Sequence, residues 1–168
     1  GAVWLASGTA VDGKAGSFSI TVGSGDSGSG GDISVASGRS TVLTGGAISV
    51  ATGEGTATTS GAITVRTLNA GAAGVSGLLS FSSGTSKGGN TGALWLGSGA
   101  ATGGKAGSVS ISVGSGYSGS GGDISIASGR STVLTGGAIS VTTGEGTTTS
   151  SGAIYVRTVN AGKSGTSG

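Results

Sequence analysis

The chain has 168 residues, a net charge of +2 from eight basic and six acidic side chains, and no Cys, His, Met or Pro. Gly, Ser and Thr number 41, 31 and 22, over half of the sequence, a bias far from that of an ordinary domain. Without Cys or His there are no disulfides, no thiolate sites, and neither the commonest general base nor the commonest metal ligand, so composition argues against an enzyme, a metal site or a cofactor.

The fourteen charges are too few and too dispersed for a nucleic-acid footprint. No apolar run approaches the roughly 20 residues of a membrane span, so no membrane-spanning segment is expected. The sequence opens at Gly1 without an initiator Met or signal peptide and is read as a mature segment or an excised piece. Gly and Ser at this level would by themselves suggest a flexible linker. The periodicity points elsewhere.

Glycine heads a unit at Gly1, Gly16, Gly31, Gly46, Gly61, Gly77, Gly92, Gly107, Gly122, Gly137 and Gly152. The period is fifteen, and the units at Gly61 and Gly152 are one residue longer. Positions three and five are apolar throughout, from Val3 and Leu5, Phe18 and Ile20, and Ile33 and Val35 to Ile154 and Val156. Alternation of this kind predicts a strand with one inward and one outward face. Position eight is Gly in nine units and Leu68 or Val159 in the two long ones. The glycines at positions one and eight are expected to turn two corners. Position ten is always Ala, Gly or Ser, as in Ala10, Gly25 and Ser40, and suggests a close inner wall.

These features predict an all-β architecture, a flattened two-sided β-solenoid (β-helix) of about eleven 15-residue coils, forming a rod of roughly 50 Å at ~4.8 Å per coil. Residues 1–76 match residues 92–167 at 59 of 76 positions, an offset of 91, which implies a six-coil super-repeat. On this reading residues 1–76 hold the first five coils and 77–167 one full super-repeat. Gly168 would begin the next coil of one continuous solenoid, a fragment of a longer array. Neither end carries a polar capping coil. The extra residue at Gly61 and Gly152 is expected to form a bulge or wider corner.

Two stretches approach a phosphate-binding loop, GTAVDGKA at Gly8–Ala15 and GAATGGKA at Gly99–Ala106. Ala15 and Ala106 replace the metal-binding hydroxyl, and a strand pattern rather than a helix follows, so Lys14 and Lys105 are read as exposed turn residues. The GxGxxG at Gly23, Gly25 and Gly28 is explained by glycine content. Gly-Gly-Asp at Gly30–Asp32 and Gly121–Asp123 faintly resembles calcium-binding β-rolls, but Asp fills that column in only two of eleven units, too few for an oxygen cage. Arg39 and Glu54 share position nine in consecutive units, as do Arg130 and Glu145, and are expected to form exposed stacked ion pairs. Trp4, Trp95 and Tyr155 occupy position four, where Ser or Thr otherwise stands. Either each ring lies flat over its small neighbours, or it joins Arg66 and Arg157 in a lateral or glycan-contacting patch.

The phrases GGDISVASG, GGAISVATGEGT and GAITVRTLNAGAAGVSG resemble the Gly/Ser/Thr-rich repeat proteins of diatoms and related algae, which are secreted, surface-associated or adhesive. The resemblance runs the length of the chain. It implies an extracellular structural protein carrying O-linked glycans, there being no N-x-S/T sequon, and it carries over no catalytic residue. The expected function is a repeat module of an extracellular fibre or surface scaffold that assembles with itself, end to end or laterally. The alternatives are an adhesive stalk that contacts polysaccharide and, behind it, an ice-binding solenoid.

Overall fold

The computed structural model describes all 168 residues, and neither a helix nor a strand occurs along them. This overturns the expected all-β class and with it the β-solenoid of stacked coils. A strand needs a ladder of backbone hydrogen bonds to a neighbour. Here every backbone bond spans three or eight residues, and none joins a residue to its equivalent in the next unit. The physical reason is the balance of burial against entropy. Two apolar side chains per fifteen residues release on the order of 3 to 6 kcal/mol even if fully buried, while ordering fifteen residues costs about 15 to 30 kcal/mol. Only inter-unit ladders could have made up that difference, and they are absent.

The chain divides into two units, Gly1–Ser82 and Ser83–Gly168, with the division inside the repeat that begins at Gly77. The accessible surface is 16678 Å², against roughly 7,000 Å² for a folded chain of this mass and roughly 22,000 Å² for an extended one. No residue is buried. The two most sheltered positions, Gly55 and Gly146, are themselves only half-buried.

What recurs is a loop. In the first unit the N–H of Gly16 donates to the carbonyl of Gly8 at 3.3 Å, Gly31 to Gly23 at 3.3 Å, Gly46 to Gly38 at 2.9 Å and Gly61 to Gly53 at 3.1 Å. The second unit repeats this at Gly137 to Gly129 (2.9 Å) and Gly152 to Gly144 (3.0 Å). Position eight and the next position one thus clasp a nine-residue loop of the Ω kind, its ends close together. Positions two to seven form an arm whose peptide groups bond to no other backbone and are left to water.

Most position-one glycines are needed for space. A Cβ on Gly16 would stand 3.1 Å from the Cβ of Ser7, and on Gly61 3.1 Å from that of Thr52. On Gly122 it would stand 2.5 Å from Cγ1 of Val113, and on Gly31 it would overlap Cγ1 of Val22. From Gly16 to Gly168, each heading glycine has the preceding position-seven side chain over it. Positive φ, the expected reason for corner glycines, occurs only at Gly13 (φ 117°), which is at neither corner.

Position ten shapes the inside of the loop, not an inner wall between coils. A Cβ on Gly25 would lie 2.6 Å from the carbonyl oxygens of Gly28 and Ser29, and one on Gly55 2.5 Å from that of Thr59. Where Ser stands there, its hydroxyl accepts from the chain: Ser40 Oγ from the N–H of Leu43 at 2.9 Å and of Val42 at 3.3 Å, Ser131 Oγ likewise from Leu134 and Val133, and Ser86 Oγ from Gly89 at 3.0 Å. These are serine-capped turns. In the two long units the extra residue makes neither bulge nor wider corner. A four-residue turn replaces the clasp, Gly74 N–H to Gly71 O at 3.1 Å and Gly165 to Gly162 at 3.2 Å.

Candidate interaction surface

The arms carry the apolar residues and the loops carry most of the charge. All 22 side chains at positions three and five lie open, from 47% exposed at Leu79 to 92% at Val156, so the expectation that these positions are buried is corrected. Ten of the fourteen charged residues sit at loop positions nine to fourteen. Asp32, Arg66, Asp123 and Arg157 are the four on arms.

Trp4 and Trp95 are both 90% exposed and Tyr155 88%. The indole of Trp95 leans over the next arm residue but one, its Nε1 3.0 Å from where a Cβ on Gly97 would be, and the residue stays 90% exposed. Arg66 and Arg157 are exposed two residues beyond position four. Arg39, Glu54, Arg130 and Glu145 are exposed, each the first residue after the position-eight glycine of its loop. The rung that was to bring each pair together is missing, because no ladder links consecutive units. Lys14 and Lys105 are exposed loop residues. No three Asp, Glu, His or Cys side chains converge on a common point, and no helix is long and apolar enough to cross a membrane.

Sequence reasoning overlooked position seven, which is Ser, Thr or Val in all eleven units and closes each loop against the following glycine. Its signal was the recurrence of small or β-branched residues immediately before position eight. The hydroxyl of Ser7 donates to the carbonyl of Gly16 at 2.8 Å and that of Thr158 to Gly168 at 2.6 Å, so the same residue fastens the loop twice, by contact and by hydrogen bond.

No protein-family model, curated protein or solved structure matches the chain.

Proposed function

We propose that this chain is a structural repeat module of an extracellular fibre or surface scaffold, without enzymatic activity. The observation that carries the reading is the recurrence, every fifteen residues, of an exposed apolar arm beside a polar loop that is clasped in six of the eleven units. Large apolar side chains exposed in this number are characteristic of chains that associate, and a repeated unit offers the same surface many times over. The match of 59 in 76 positions at an offset of 91 residues supports a modular array over a single-purpose domain. The absence of a signal for any other partner class in the composition, as argued from charge and from missing Cys and His, is in keeping with self-assembly.

A second reading, an adhesive stalk that contacts polysaccharide or carries O-linked glycans, is favoured by one feature. Trp4 and Trp95 recur 91 residues apart with both rings open to solvent, and open aromatic faces suit sugar stacking. Light scattering and electron microscopy across a concentration series decide between them. Growth into filaments or sheets supports the scaffold. Monodisperse single chains at high concentration, together with retention on a polysaccharide matrix that is lost in Trp4→Ala/Trp95→Ala, would favour the stalk.

A further inference from the structure

The exposed arms need an occupant, and the charge pattern specifies one. We propose that the apolar arms are covered by a second copy of this chain running antiparallel, related by a two-fold axis through the arm that begins at Gly46. The inference rests on the self-assembly reading above and adds partner, direction and register to it.

Positions three and five are symmetric about position four, so reversing an arm lays position three on position five and keeps the apolar face apolar. With Ser49 at the axis, residue numbers of facing arm positions add to 98 in the adjacent arms. Ile48 then meets Val50 of the other copy, and Ile33 meets Val65. The same operation sets Asp32 against Arg66, the two charged arm residues of the first unit. It also brings the loop opened by Arg39 opposite the loop opened by Glu54, with Arg39 across from Thr59 and Glu54 across from Thr44.

The 91-residue copy of this stretch carries the same pattern in the second unit, about its own axis. With Ser140 at the axis the facing numbers add to 280, which sets Asp123 against Arg157 and the Arg130 loop against the Glu145 loop. A parallel, in-register pair would instead place each of these charges on its own kind, an arrangement that like-charge repulsion disfavours. Isologous pairing of this type uses one surface twice, and because each unit carries its own axis a chain can pair once through each. About the axis at Ser49 the arms that begin at Gly31, Gly46 and Gly61 come into register, and their apolar pairs at positions three and five, 55% to 74% exposed at on the order of 100 Å² each, give roughly 600 Å² per partner, the low end of specific interfaces.

Two measurements on the full chain test this. In sedimentation, Asp32→Arg/Asp123→Arg should raise the dimer dissociation constant about tenfold, and so should Arg66→Asp/Arg157→Asp. All four reversals together should restore it. Because the chain has no native Cys, single-cysteine variants report direction. Under mild oxidation a mixture of Ile48→Cys and Val50→Cys should give mainly the mixed disulfide dimer. Association without rescue by the fourfold reversal, or with Ile48→Cys and Val50→Cys each linking to itself, would overturn the antiparallel register and leave the scaffold reading standing. Single chains at every concentration would overturn both.

Discussion

At the scale of the residue, this chain separates glycines needed for space from glycines that are not. Gly55 and Gly53 lie two apart, yet a Cβ on Gly55 meets the Thr59 carbonyl oxygen at 2.5 Å while one on Gly53 meets nothing within 4 Å. Backbone atoms cannot move aside as a flexible side chain can, so Gly55→Ala must reshape its loop and Gly53→Ala need not. In NMR spectra the amide shifts of Thr56–Thr59 should move in Gly55→Ala and in its copy Gly146→Ala over Thr147–Ser150, and stay in place in Gly53→Ala. Equal perturbation by both substitutions would contradict the loop geometry. Serine at position ten offers a parallel check. Ser40→Ala removes the acceptor for Val42 and Leu43, and their amides should exchange faster by no more than about tenfold, the ceiling for one hydrogen bond worth ~0.5 to 1.5 kcal/mol net.

The loop is the element of this molecule, and it is held by a local device: a position-seven side chain over a glycine nine residues later, ten in the long units, with a backbone bond alongside in most units. Ordering a short loop costs little closure entropy, so a single contact and one hydrogen bond can bias it without help from a core. The contact is tightest where position seven is Val. A methyl on Gly31 overlaps Cγ1 of Val22, so Gly31→Ala should break the Gly31 to Gly23 bond, seen as a loss of protection at the Gly31 amide. Trimming the obstacle in Val22→Ala/Gly31→Ala should restore it. The same pair of changes at a serine unit, Ser37→Ala/Gly46→Ala, should show little rescue, because Ser37 already meets the added Cβ with its own Cβ, at 3.3 Å.

Over the whole molecule the absence of a core governs stability. With 16678 Å² already exposed, further unfolding uncovers little surface, and the denaturant slope that scales with newly exposed area should be small. At low micromolar concentration the chain should lose its structure in urea without a sigmoidal transition. When copies associate, buried arm surface belongs only to the assembled state. A cooperative transition should then emerge whose midpoint rises with protein concentration. A sharp, concentration-independent transition would mean that a single chain buries a core after all.

The fifteen-residue unit, the apolar pair at positions three and five, the polar second half and the 91-residue super-repeat were all legible from the sequence, because side-chain period and spacing are covalent facts. So was the special character of positions one and ten, where only small residues occur. Their reasons were not. Glycine at position one was read as a conformational corner, and it proved to be the seat for Val22, Ser37 and their equivalents. The small residue at position ten was read as a wall between coils, and it proved to clear the carbonyls of its own loop or to cap it as Ser40 does. Alternation in the arms was read as strand, but alternation states only which side chains share a face. Whether an arm becomes a strand depends on a neighbour within hydrogen-bonding reach, and no arm of this chain has one. That neighbour is a tertiary property: two apolar side chains per unit release too little free energy to hold one fifteen-residue unit against the next.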